Sequence, residues 1–144
     1  MGALVGLADY LSKLGFIPWF AKTIAGSIAG IPWLQAFLIL TIVYLYAHYA
    51  FASLTAHITA MYQAFIAVAA AAGAPPYLVA LALAFMSNLC MSLTHYAAGP
   101  SPIYFGAGYV EQSTWWRLGF MVSVMNLIIW VGLGSMWWKV LGLW

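Results

Sequence analysis

The sequence predicts an all-α polytopic membrane protein, and three observations support this fold class. First, 67% of the 144 residues are hydrophobic and only 4% are charged, which leaves too little polar surface for a soluble domain of this size. Second, no Asp, Glu, Lys or Arg occurs between Lys22 and Glu111, as a bilayer interior requires. Third, Gly and Pro clusters divide this apolar stretch into segments of helical length. We therefore expect an integral, multi-pass protein in contact with lipid, most simply in a bacterial inner membrane.

The few charged and sulfur-containing side chains exclude several classes of protein. The net charge is only +2, and its four basic residues are spread along the chain, so they form no patch for nucleic acid. Cys90 is the single cysteine, which excludes an internal disulfide framework and a thiolate metal cluster. A buried, hydrophobic role for its thiol is the simplest expectation.

The first element is a partial or marginal span over residues 1–20. It is moderately apolar but carries Asp9 and Lys13. We expect Pro18 to end it, with Trp19 at an interface.

Residues 33–72 predict a re-entrant hairpin. A single helix of that length would extend about 60 Å, twice the roughly 30 Å hydrocarbon thickness. The chain must therefore turn back, and the polar stretch HYAFASLTAH at 48–57 is the place to do so. The two arms, 33–47 and 58–72, would each be about 22 Å long, too short to cross. The tip at 48–57 would then lie inside the membrane.

The next two elements are a discontinuous helix and a final spanning helix. Residues 77–110 are apolar but are interrupted at 94–102 by Gly99 and two prolines, which predicts unwound backbone at membrane depth. Residues 118–138 are uncharged and form the final span. Gly132 and Gly134 predict close helix contact there.

Two interrupted segments that meet at mid-membrane are typical of a transporter's substrate site. Exposed helix N-termini offer N–H groups and a positive dipole end to an anion, and no acidic side chain lies in this region. The expected additional donors are hydroxyl and imidazole groups: Ser53, Thr55, Thr94, Ser101, His48, His57 and His95. The alternative is that each of these side chains bonds a neighbouring helix instead.

Signatures of catalysis and metal binding are missing from the sequence. It has no paired carboxylates, no His-Glu-x-x-His and no Gly-x-Ser-x-Gly motif, so we expect no enzyme. The spacing of the histidines and the lack of acidic residues near them give little support to a metal site.

Five stretches of the chain resemble the divalent anion–sodium symporter (DASS) superfamily. The similarity is greatest to the branch with bacterial citrate/succinate and tartrate/succinate antiporters and plastid 2-oxoglutarate/malate translocators. The stretches are LGFIPWF (14–20), HYAFASLTAH (48–57), SLTHYAAGPSPIYFGAGYV (92–110), WWRLGF (115–120) and WWKVLGLW (137–144). The resemblance implies a fold of two inverted repeats, a homodimer and an elevator-like movement. It also implies that residues 1–144 are the C-terminal repeat of a longer carrier, whose N-terminal repeat would complete the binding site.

The resemblance also implies roles for individual residues. Ser53 and Thr55 match a Ser-Asn-Thr motif at the hairpin tip, where family members contact a substrate carboxylate and sodium. Leu54 replaces the Asn, which puts a coupling Na⁺ in doubt and favours exchange; we expect no other cofactor and no metal. The predicted substrate-binding residues are Ser53, Thr55, Thr94, His95, Ala98, Gly99, Pro100 and Ser101, with Ser53 and Ala97 as ion-binding candidates.

The resulting hypothesis is exchange of di- or tricarboxylate anions across a membrane, by a carrier of which this chain is the C-terminal part. One alternative is sodium-coupled dicarboxylate uptake. The other is a non-transporting fragment or subunit of a membrane assembly.

Overall fold

The protein is described by a computed structural model that covers Tyr10 and residues 13–28 and 30–144. Every regular element in these residues is helical, which confirms the all-α prediction. Most of the predicted span over 1–20, including Asp9, lies outside the described residues. The elements are α1 (Phe16–Ser27), α2 (Trp33–Ala47), a 3₁₀ turn (His48–Ala50), α3 (Leu54–Ala71), α4 (Pro76–Leu89), a 3₁₀ turn (Cys90–Ser92), α5 (Ser101–Gly106), α6 (Gln112–Leu127), a π-helical segment (Ile128–Gly134) and α7 (Ser135–Val140).

Helix α1 begins just where the sequence predicts that a helix ends. Gly15 has a φ of 80° and directly precedes the helix. Pro18 then lies in the first turn, where its missing N–H would have had no helical acceptor in any case. The helix therefore runs through Pro18 to Ser27.

Helices α2, α3 and α4 pack together and form most of the buried core. Tyr44 of α2 is fully buried, and its hydroxyl lies 2.7 Å from the hydroxyl of Ser87 on α4. The ring of Tyr44 also packs edge-on against Phe65 of α3. One buried tyrosine thus contacts all three helices of the core.

Helix α2 has the predicted bounds of the first arm, 33–47, whereas the second arm is longer than the sequence predicts. Helix α2 with its 3₁₀ turn covers Trp33–Ala50, and α3 covers Leu54–Ala71, each with 18 residues and enough hydrophobicity to cross a membrane. The second arm begins at Leu54, not at residue 58, because Ser53 provides a helix N-cap. Helix length alone therefore does not force re-entry, and the re-entrant hairpin stays a prediction.

Residues 93–100 separate α4 and its 3₁₀ turn from the short helix α5. Helix α5 ends at Gly106, before the predicted limit at residue 110, because Gly108 adopts a φ of 76°. Helical residues then continue from Gln112 to Val140, 29 residues in all. Close contact with this last helix occurs at Gly119, where an added Cβ would lie 2.4 Å from the carbonyl oxygen of Ser92. Gly132, by contrast, has open space around it.

Candidate functional site

Ser53 starts helix α3 and leaves part of its first turn available to a ligand. Its backbone is extended, and its side-chain oxygen accepts a hydrogen bond of 3.2 Å from the N–H of Ala56. The N–H of His57 bonds the carbonyl of Ser53. The N–H of Thr55 has no hydrogen-bond partner in the described part of the chain. An unpaired N–H at the positive end of an 18-residue helix is suited to an anion.

The hairpin tip is bonded directly to the unwound segment of the broken helix. The N–H of Leu54 donates to the carbonyl oxygen of Ala97 at 3.2 Å. A second bond runs in the opposite direction, from the hydroxyl of Tyr96 to the carbonyl oxygen of Tyr49 at 2.9 Å. The two interrupted segments, distant in sequence, therefore form one local structure.

A cavity of about 310 Å³ lies where these two segments meet. None of its lining side chains is charged, and its polar groups are hydroxyls and backbone. The lining residues are Ala52, Ser53, Leu54, Thr55, Met91, Tyr96, Ala97, Ala98, Gly99 and Pro102. Such a wall can donate hydrogen bonds to an oxyanion without opposing its charge.

The predicted substrate-binding residues divide into two groups. Ser53, Thr55, Ala98 and Gly99 line the cavity, as does the ion-binding candidate Ala97. The other four predicted residues, namely Thr94, His95, Pro100 and Ser101, are not part of its lining.

The surroundings of two of these four differ, and only those of His95 suit a structural role. Thr94 is fully buried, and its hydroxyl has no hydrogen-bond partner in the structure. His95 accepts a hydrogen bond of 3.2 Å at Nδ1 from the indole N–H of Trp116, and it stacks on Phe105 with ring centroids 4.3 Å apart. His95 therefore attaches the unwound segment to α6.

Gly99 contributes space to the cavity. Its φ is not in the left-handed region, and a Cβ at this position would meet no heavy atom within 4 Å. The backbone conformation therefore does not require glycine here. What glycine provides at this position is space, because a side chain would extend into the cavity.

Five lining residues were not among the predicted site residues, namely Ala52, Leu54, Met91, Tyr96 and Pro102. Tyr96 lies inside the quoted stretch SLTHYAAGPSPIYFGAGYV, but only the contact with Tyr49 shows its position. Met91 follows the apolar helix α4 and has no sequence signal of its own.

Comparison with known proteins identifies the family. The family model described as "Sodium:sulfate symporter transmembrane region" matches residues 1–144. The chain belongs to this family. Its membership confirms the resemblance to DASS carriers. Together with three apolar helices long enough to span a bilayer, it also confirms that this is an integral, multi-pass membrane protein.

Named relatives of this symporter-family chain include plastid and bacterial proteins. "Dicarboxylate transporter 1, chloroplastic" of Spinacia oleracea is 48% identical over 144 residues, which are 99% of this chain and 25% of the spinach protein. "Putative malate transporter YflS" of Bacillus subtilis is 55% identical over 142 residues, 99% of this chain and 30% of that protein. The chain thus spans about a quarter to a third of the length of these relatives.

Proposed function

We propose that this chain forms the C-terminal, carboxylate-binding part of a membrane carrier that exchanges di- or tricarboxylate anions. The observation that carries the proposal is the uncharged cavity between the hairpin tip and the unwound segment, whose lining includes Thr55, a residue with an unpaired backbone N–H. The names of the relatives, which include dicarboxylate and malate transporters, support a carboxylate as the anion.

One carboxylate group of the substrate would be bound at the start of α3. The N–H and hydroxyl of Thr55 would donate to its oxygens, and the positive end of the α3 dipole would stabilise its charge. Ser53 would position this turn through its cap. The second carboxylate group would contact the N-terminal repeat of the same carrier, and a homodimer would support movement of the site across the membrane.

Exchange is favoured over sodium-driven uptake because the side chain of Leu54 offers no oxygen ligand at the hairpin tip. A hard cation such as Na⁺ needs oxygen atoms around it. We infer binding and release of the anion without chemical conversion, in agreement with relatives that are named transporters.

The test is counterflow in proteoliposomes that contain the complete carrier. Thr55→Ala removes a hydroxyl at the cavity and is expected to raise the external dicarboxylate concentration needed for half-maximal exchange by about tenfold, the effect of one lost hydrogen bond to a charged group. Ser53→Ala is expected to act in the same direction and also to lower helix stability by about 1 kcal/mol. Thr59→Ala, one turn further along α3 and outside the cavity lining, is the matched control. If both cavity variants reach half-maximal exchange at the same dicarboxylate concentration as Thr59→Ala, the proposed site is wrong.

Sodium-coupled uptake is the second candidate, because the family description names sodium. If dicarboxylate accumulates in the proteoliposomes only when there is an inward sodium gradient, the carrier is a sodium-coupled uptake system and not an exchanger. A carrier that exchanges dicarboxylates equally well without sodium would exclude it. If the complete protein transports no dicarboxylate in either assay, the non-transporting role is the correct one.

A further inference from the structure

Behind the carboxylate cavity, the fold brings together three side chains that the proposed transport function does not use. His48 follows α2, His57 lies in the first turn of α3, and Cys90 follows α4. All three are 0% exposed. Their ligand atoms, an imidazole nitrogen from each histidine and the Cys90 sulfur, lie within 4.8 Å of one another.

The two histidines have unsatisfied hydrogen-bonding capacity. Neither ring nitrogen of His48 has a hydrogen-bond partner in the described residues, and His57 has only a contact with the backbone of Tyr44 that falls short of a well-formed hydrogen bond. The sulfur of Cys90 makes one weak contact, 3.7 Å from the carbonyl oxygen of Leu45. Buried polar atoms without hydrogen-bond partners destabilise a fold, so their concentration at one place favours a bound species that pairs with one nitrogen of each histidine.

The donor set selects the class of that species. Two imidazoles and a thiol are borderline to soft donors, which suit Zn²⁺ and related late transition metals. No carboxylate lies between Lys22 and Glu111, so Mg²⁺ and Ca²⁺ would find none of their preferred acidic ligands. A water molecule could also pair with one nitrogen of each histidine, but a metal ion would in addition bind the sulfur of Cys90.

We propose that His48, His57 and Cys90 bind one Zn²⁺ ion. The Cys90 thiol would lose its proton to solvent on binding, and the thiolate would leave the site with a net charge of about +1. Three protein ligands leave the fourth tetrahedral position for a water molecule. This site is independent of the carboxylate site and does not require it to be correct.

The geometry requires only a small contraction. Ligand atoms around a tetrahedral zinc ion are about 3.5 Å apart, compared with the 4.8 Å limit within the cluster. The two imidazole rings are already in edge-to-face contact, with centroids 5.3 Å apart and an angle of 61° between their planes. His48 is in a 3₁₀ turn at a helix end, where a shift of about 1 Å disturbs fewer backbone bonds than in a helix interior.

A second cavity, separated from the cluster by the ring of Phe51, would provide a route for the ion. It has a volume of about 210 Å³ and is lined by Tyr49, Ala50, Phe51, Ala52 and Tyr96. The ring of Phe51 is also in contact with the ring of His57, at a centroid distance of 5.3 Å. Rotation of the Phe51 side chain would therefore open the cluster to this cavity.

Zinc at this position would connect three helices directly behind the substrate wall. Met91, the neighbour of Cys90, lines the carboxylate cavity, and His57 is two residues from Thr55. The ion would fix the hairpin tip relative to α4 and so hold one wall of the carboxylate cavity.

The test uses the complete carrier, purified in detergent, stripped with a chelator and equilibrated with Zn²⁺ alone. The expected result is about one more Zn²⁺ per chain in the unmodified carrier than in Cys90→Ser or His57→Gln, measured by elemental mass spectrometry. His95→Gln is the matched control, because it removes a histidine outside the cluster and is expected to keep the full zinc content. Equal zinc content in the carrier and in both cluster variants would overturn the proposal.

Replacement of zinc by Co²⁺ provides a readout that needs no variant. Thiolate ligation of cobalt gives a sulfur-to-metal charge-transfer band in the near ultraviolet, which we expect in the unmodified carrier. Its absence would overturn the proposal even if the cluster variants failed to fold. Zn²⁺ is also expected to raise the melting temperature of the unmodified carrier and of His95→Gln, because it binds only the folded state.

Discussion

The backbone N–H of Leu54 donates a hydrogen bond of 3.2 Å to the carbonyl oxygen of Ala97. This bond joins the first residue of α3 to the unwound segment between α4 and α5. It fixes the distance between the two walls of the cavity that Thr55 and Gly99 share. The substrate site thus depends on a main-chain contact that no side-chain pattern indicates.

Leu54→Pro tests this contact, since proline removes the N–H at the first helical position, where its fixed φ is tolerated. The preceding residue, Ser53, is already extended, as a proline requires. We expect dicarboxylate affinity to fall about three- to tenfold, the effect of one hydrogen bond, measured by calorimetry on the complete carrier. Leu54→Ala keeps the N–H and is expected to retain affinity. The same affinity in both variants would show that the bond does not shape the site.

Trp116→Phe tests whether His95 has a structural role. The change keeps an aromatic ring but removes the indole N–H that donates to His95 Nδ1. We expect a loss of about 0.5–1.5 kcal/mol in stability, seen as a lower melting temperature. Trp115→Phe is the control, because Trp115 contacts Phe105 through its ring. If His95→Gln abolished substrate binding while leaving the melting temperature unchanged, His95 would be a substrate ligand instead.

Gly119→Ala tests the close approach of α6 to the end of the broken helix. The added Cβ would meet the carbonyl oxygens of Ser92 and Leu93 at 2.4 and 2.8 Å, so the helices must separate. Overpacking of this kind destabilises by roughly 1–3 kcal/mol, and we expect a clear drop in melting temperature. Gly132→Ala, in open space, should leave the melting temperature nearly unchanged. Equal melting temperatures for the two variants would contradict the packing at Gly119.

Tyr44→Phe tests the central hydrogen bond of the core. The hydroxyl of Tyr44 is buried against that of Ser87, which retains a bond of 2.7 Å to the carbonyl oxygen of Leu83. Because Ser87 keeps this partner, we expect a loss of only about 1 kcal/mol, again as a lower melting temperature. Tyr77→Phe changes an exposed tyrosine and should have no measurable effect. A Tyr44→Phe carrier as stable as the control would show that the bond contributes nothing.

Local sequence signals predicted the class of fold and part of the site. The charge-free stretch and the high apolar content predicted a helical membrane protein. The polar cluster at 48–57 indicated the boundary between α2 and α3. The N-cap at Ser53 and the glycine at position 99 have local causes, namely a side-chain acceptor for a free N–H and the need for space. Ser53, Thr55 and Gly99, however, were predicted from the polar cluster, the helix break and the resemblance to DASS carriers, and all three line the same cavity.

The remaining features depend on packing between distant segments. The contact of His95 with Trp116 spans 21 positions, and the approach of Cys90 to His48 and His57 joins three helices, so neither has a periodic signal. Pro18 is ambiguous in sequence because proline is compatible with both the start and the end of a helix. The sequence does not show which of Gly119, Gly132 and Gly134 lies at a close helix contact, because that depends on residues distant in sequence that pack against each glycine.

The most direct test of the proposed carboxylate site is to measure dicarboxylate affinity in variants with larger side chains at position 99. The Cβ of Gly99→Ala would meet no protein atom within 4 Å, and Gly99→Val would add two more methyl groups at a residue that lines the cavity. We predict that calorimetry on the complete carrier will show affinity falling stepwise, by about tenfold or more for valine, with an unchanged melting temperature. Gly106→Ala and Gly106→Val, in open space away from the cavity lining, should keep full affinity. Unchanged affinity in Gly99→Val would contradict the assignment of this cavity as the carboxylate site.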